Sequence, residues 1–188
     1  MNSTAAHQRP LLRSLGFAAA VACLPGALLC APTAQAQPDA KQITVNTPVR
    51  AESPTLASHE CKKQRGLDGL AFTNLATLGP GNYSGNVVDT TCVYFNPDQT
   101  VAFYTGTETG TITIEGCGTG EITLEFEGAL SPDGSSETST ARVQPGKGTG
   151  DLKGVSGTLT SNSTLNPDRS ADGTLTGELH CPGAKKNP

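Results

Sequence analysis

The chain has 188 residues, with 13 Lys and Arg against 17 Asp and Glu, no Trp, 22 Gly and 13 Pro. That length holds one domain. The net charge of −4, with Lys62, Lys63 and Arg65 as a single short basic cluster, argues against nucleic acid and anionic membrane as partners, since both recruit extended basic patches.

In chain order, the first signal is for export. Arg9 and Arg13 make a basic start, and an apolar run follows from Leu15 to Ala31, interrupted by Pro25 and Gly26. Ala34-Gln35-Ala36 is a small-x-small signature, so cleavage is expected after Ala36 and residues 1–36 read as a secretory signal peptide. Pro25-Gly26 divides the run into pieces too short to span a bilayer. Leu29 before Cys30, and the lack of a leucine three places before Cys23, argue against lipidation. The expected product is secreted, extracellular and not stably inserted in a membrane. Removing the segment leaves 11 basic against 17 acidic residues, a net charge of −6.

Cys23 and Cys30 leave with the signal, and Cys61, Cys92, Cys117 and Cys181 remain. An even count in an exported chain reads as two disulfides with three possible connectivities. Sequence proximity, and the need to tie down the last strand, favour Cys61 with Cys92 and Cys117 with Cys181. The core is thin, with 35% hydrophobic residues, part of them in the signal. Each bridge adds about 2–4 kcal/mol by constraining the unfolded chain.

Residues 37–58 are polar and punctuated by Pro38, Pro48 and Pro54. They read as a flexible N-terminal segment in which Ile43-Thr44-Val45 is a strand-like run. The folded domain is expected over 59–181, with 182–188 as a disordered tail. Leu67, Leu70 and Leu75, among Gly66 and Gly69, suggest a short helical turn between Cys61 and Leu78. Beyond it the period is two. Val93 and Phe95 alternate with Cys92 and Tyr94, Asn96-Pro97-Asp98-Gln99 turns the chain, and Val101 and Phe103 resume the pattern. Ile112 and Ile114 alternate with Thr111, Thr113 and Glu115. A glycine-rich loop over 116–120 leads to Ile122, Leu124 and Phe126 on one face, with Glu121, Thr123, Glu125 and Glu127 on the other. Ser131 to Thr140 reads as a mobile loop. Val155 and Leu159 share a face, and Leu175, Leu179 and Cys181 form one face of a last strand. There are no evident internal repeats. Short strands between Gly- and Pro-rich turns predict an all-β barrel or sandwich.

The run from Gly148 to Leu159 (GTGDLKGVSGTL) and the run from Gly173 to Leu179 (GTLTGEL) resemble the late strands of allene-oxide-cyclase-like and dirigent-like barrels. In those families a Gly-Thr-Gly turn leads to a glycine-spaced strand and then a closing strand. Glu125-Phe126-Glu127-Gly128 resembles the strand placed before that turn. The resemblance covers about the second half of the mature chain and implies a small antiparallel calycin-like barrel, here with two disulfides. No catalytic residue of those families matches a position in this chain.

Candidate chemistry is sparse. Gly154-Val155-Ser156-Gly157-Thr158 lacks the final glycine of a nucleophile elbow, so Ser156 reads as an outward strand serine. Gly146-Lys147-Gly148 lacks the spacing and the helix of a phosphate loop. His59 with Cys61, and His180 with Cys181, would make a zinc set only with reduced thiols, and oxidised cysteines are the commoner state in an exported chain. Glu121, Glu125 and Glu127 could supply an acid/base pair, and Glu178 and Asp151 are further carboxylates; a solvated sheet face is the commoner use of all of them. Tyr83, Tyr94 and Tyr104 suit either a ligand mouth or packing. Asn82 and Asn162 lie in glycosylation sequons. No catalytic residue, metal site or cofactor is assigned. The leading expectation is a monomeric, non-catalytic barrel binding a small apolar or amphipathic molecule. The alternatives are a cyclase or isomerase acting by shape confinement, and an extracellular interaction domain with a filled core.

Overall fold

Period-two alternation extends through nearly the whole of residues 40–182, the part of the chain that the computed structural model describes. The expected signal segment, its cleavage at Ala36 and residues 183–188 of the expected tail lie outside the described residues. The strands are β1 (Lys41–Ala51), β2 (Thr55–Leu56), β3 (Gly69–Leu78), β4 (Tyr83–Phe95), β5 (Val101–Ile114), β6 (Gly118–Leu130), β7 (Ser136–Val143), β8 (Ser156–Leu165) and β9 (Ala171–Cys181). Each of β3 to β9 pairs antiparallel with the next. β1 pairs with β9 along its whole length and with β3 at Val49–Ala51, which closes an eight-stranded antiparallel barrel. The two-residue β2 lies beside β3, outside the closed ring.

Three readings need correction. The expected flexible segment 37–58 is not a tether over its described residues 40–58, because Lys41–Ala51 is the strand that closes the barrel. Its inward face (Ile43, Val45, Thr47) is buried. Of its prolines only Pro48 falls inside the strand, one residue before the β3 pairing begins. The partner strand β9 is over a hundred residues away, so no local pattern announced the pairing. Ser136–Val143, read as part of a loop, is β7. It also separates β6 from the glycine-rich run at 148–159, which the resemblance had placed directly after it. No helix forms between Cys61 and Leu78. Residues 61–68 form a loop with a bridge between Gln64 and Leu67, and β3 follows. Leu70 and Leu75, five positions apart, fall on opposite faces of this strand and are both exposed.

Inward positions sort into two halves. At the end where β1 starts and β9 finishes, Ile112, Ile114, Ile122, Leu124, Leu159 and Leu179 fill the barrel. The long β7–β8 connection folds a short 3-10 turn (Gly150–Leu152) that presses Leu152 and Val155 into this apolar floor. Cys117 lies against Cys181 at this end, with Cα atoms 5.8 Å apart. Cys61 lies against Cys92, Cα atoms 5.7 Å apart, on the outer wall. These are the pairs that sequence proximity favoured. The second pair holds the 57–68 segment over the outer face of β3–β5. Tyr94 stacks on Phe103 at 4.6 Å and donates to the Lys62 carbonyl (2.9 Å), and Arg65 lies 4.2 Å above the Phe103 ring. Outward positions here are therefore also buried, which simple alternation does not anticipate. Among the described residues, no helix is long and apolar enough to cross a membrane.

Candidate functional site

The open end is rimmed by three turns built to one plan. Residues 96–100, 131–135 and 166–170 each carry Pro-Asp at their centre and Ser or Thr at their end. The carboxylates of Asp98, Asp133 and Asp168 accept the backbone N–H and hydroxyl of Thr100, Ser135 and Ser170. The residue between adopts a left-handed φ: 67° at Gln99, 68° at Gly134 and 67° at Arg169. A hydrogen bond from the Ser131 hydroxyl, together with those from Ser135, holds Asp133 at about 2, and the bonds from Thr100 and Ser170 hold Asp98 and Asp168 below the usual carboxylate range. The sequence reading placed a turn at Asn96-Pro97-Asp98-Gln99 without seeing that the motif recurs. Three like turns sit at one end because β4–β5, β6–β7 and β8–β9 are hairpins opening the same way.

Below this rim the inward side chains change character. Asp89 on β4 and Glu108 on β5 are direct cross-strand partners with both side chains pointing into the barrel. Like charges so placed repel. Burial, and then the charge of Glu137, push Asp89 up to about 7. Burial, and then the charge of Asp89, push Glu108 up to about 8. Glu137, inward on β7, is also raised by burial, while a hydrogen bond from the Tyr104 hydroxyl (3.3 Å to Oε2) opposes that rise. Tyr104 is raised far above its ordinary value by burial and then by Glu137. Deeper, Tyr83 is fully buried, and burial followed by the charge of Glu108 raises it.

Space for these groups comes from glycine. Gly128 is the partner of Tyr104 across β5–β6, and a Cβ there would collide with the tyrosine ring. Gly106 leaves room in the same way for the Phe126 ring. Phe72, Asn74, Thr91, Phe126 and Ser139 around the carboxylates are only half-buried, unlike the floor. Four buried polar atoms have no hydrogen-bond partner: Thr47 Oγ1, the Tyr83 hydroxyl, Asp89 Oδ1 and Glu108 Oε1. Such atoms are rare in folded proteins.

The residues singled out from sequence mostly lie elsewhere. Glu121, Glu125, Glu127 and Glu178 point outward and are exposed, and Glu127 pairs with Arg65. Ser156 is an exposed residue of β8 opposite His180. Gly146 to Gly150 belong to the turn over the floor, and Asp151 accepts the Thr119 N–H at 3.2 Å. His59 Nε2 approaches Cys92 Sγ at 3.8 Å, while His180 lies on β9 beside a different cysteine pair. The four residues of the zinc set therefore do not converge on one point as reduced ligands. Asn82 donates to the Thr44 carbonyl at 2.6 Å, and the Asn162 amide oxygen accepts from Thr138 at 3.0 Å. Of the three tyrosines, Tyr94 packs outside and Tyr83 and Tyr104 face the interior.

Asp89, Glu108 and Glu137 escaped the sequence reading. Two of them interrupt runs of Thr and Ser, where a carboxylate looks like any solvated strand residue. One signal was present: Glu108 has the same parity as Ile112 and Ile114, which places it on the core face.

The chain belongs to the family described as Protein of unknown function (DUF3224), whose model matches residues 76–172. That span runs from the end of β3 to the start of β9 and includes all three interior carboxylates. No curated protein matches the chain.

Proposed function

We propose that this member of the family is an exported, monomeric, non-catalytic barrel that takes a small apolar or amphipathic molecule through its open end. The observation that carries this reading is the group of unpartnered buried polar atoms beside a half-buried, partly aromatic upper interior. A barrel that needed no occupant would satisfy those atoms itself or replace them with apolar side chains. Two cysteine pairs at disulfide distance support an oxidising compartment. The test is native mass spectrometry of the protein recovered from its culture medium, followed by titration with an environment-sensitive apolar dye. A bound small mass, or saturable dye uptake displaced by amphiphiles, is expected. A bare chain mass together with no dye uptake would overturn the reading.

A second reading, a cyclase or isomerase, draws on one specific observation. Asp89 and Glu108 face each other with proton affinities lifted toward neutrality, as a general acid and base require. Turnover abolished by Glu108→Gln would support it; tight binding without turnover of any bound molecule would favour the carrier.

A further inference from the structure

We propose that the molecule taken into the barrel carries a protonated amine, seated head-first against Asp89, Glu108 and Glu137 with its apolar part toward the mouth. This rests on the binding reading above and specifies its ligand class.

The argument begins with charge. Strand register assigns the inward positions, and among the described residues the one cation on them is Lys41, at the floor end of β1 opposite Cys181, where it is exposed and reaches the Gly116 carbonyl. β4 contributes Asp89 and Tyr83, β5 contributes Glu108 and Tyr104, and β7 contributes Glu137. The inward faces of β3, β6, β8 and β9 add no group that titrates, Cys181 being paired with Cys117, and β1 adds Lys41 alone, at the opposite end of the barrel. Three exposed cations are paired on the outside: Arg50 with Asp172, Lys63 with Asp68 and Arg65 with Glu127. Among the described residues, no strand places a cation beside the three inward carboxylates. Desolvated charge in that position needs a partner or a proton.

A second observation points the same way. Tyr83 has no measurable exposure and its hydroxyl has no partner. It lies on the same inward face as Asp89, beneath the carboxylates, and feels the charge of Glu108. Asp89 Oδ1 and Glu108 Oε1, on directly facing residues, are acceptors without donors, and an ammonium group has three N–H donors to offer. Toward the mouth, half-buried Phe72, Val93 and Leu130 provide apolar walls for the remainder of such a ligand. The oxygens of the three carboxylates do not gather closely enough to ligate one ion together, so the ammonium is placed on the facing pair Asp89 and Glu108, with Glu137 adding its charge from β7.

Binding of a cation displaces the proton that the empty pair retains near neutrality, so affinity rises with pH while the amine stays charged. The experiment is calorimetric titration of the protein, as purified from its host, with octylamine, octanol and octanoate at pH 6 and pH 8.5. Octylamine is expected to bind at least tenfold more tightly than octanol at pH 8.5, and at least tenfold more tightly at pH 8.5 than at pH 6. Octanoate is expected to bind weakest. Asp89→Asn and Glu108→Gln should weaken octylamine and leave octanol unchanged. Octanol binding as tightly as octylamine, or octylamine affinity indifferent to pH, overturns the amine assignment and leaves the binding barrel standing. Binding of none of the three overturns both. The pH comparison uses the unsubstituted protein, so it holds even where a variant fails to fold.

Discussion

Glu108→Gln should make the empty barrel more stable, and increasingly so as pH rises. In the unfolded chain Glu108 titrates near the ordinary glutamate value of 4.5; in the fold, burial and the facing Asp89 lift it to about 8. A carboxyl with a raised folded pKa keeps its proton longer in the native state. Below the unfolded pKa it has no effect on stability. Between the two values the native state must either hold a proton that the unfolded chain has released or bury a charge, so stability falls as pH climbs. Linkage over that window amounts to about 4 kcal/mol between pH 5 and pH 8.5. Gln does not titrate and keeps nearly the same shape, so the variant lacks this loss. Asp89, raised by burial and then by the charge of Glu137, is present in both proteins. Urea unfolding of both proteins at the two pH values isolates it, because carboxylates common to both cancel in the difference. The unfolding free energy of the variant, relative to the parent, should rise by about 4 kcal/mol from pH 5 to pH 8.5. A difference that stays flat, within about 1 kcal/mol, would mean that Glu108 is solvated in the fold and that the interior carboxylates carry no stored repulsion.

Other consequences are simpler to read. Reducing both cysteine pairs, which span separations of 31 and 64 residues, should lower stability by about 4 kcal/mol each on the loop-entropy estimate; an unchanged denaturation midpoint with reductant refutes their role. Gly128→Ala places a methyl against the Tyr104 ring, and should cost about 1–3 kcal/mol in the manner of overpacked cores. It should also alter the tyrosine near-UV circular dichroism; an unaltered spectrum would show that the ring has room to spare. Replacing Glu125, Glu127 and Glu178 together with Gln should leave the binding of any interior ligand unchanged by calorimetry, since all three point outward. A loss of binding would move the site to the outer wall.

Much of the fold was legible because alternation is a local property. The strands around Ile112, Ile122 and Leu175 declare their buried face over five or six residues, and the Pro-Asp turns declare the hairpin ends. β1 was not legible: its prolines argue for a tether, and what makes Ile43 and Val45 buried is β9, at the far end of the chain. β7 was hidden by its Ser and Thr, which suit a loop as well as a sheet.

By itself, the sequence determined an all-β chain, four cysteines favouring two nearby pairs, and which face of several strands is apolar. Tertiary structure alone decided that the strands close into a ring, that three Pro-Asp turns rim one mouth, and that Asp89, Glu108 and Glu137 meet inside. The physical reason is parity against register. Alternation says which residues share a face of one strand, but only the pairing of strands with their neighbours brings carboxylates 19 and 29 positions apart in the chain into one enclosed space, where the absence of a counterion becomes a property of the site.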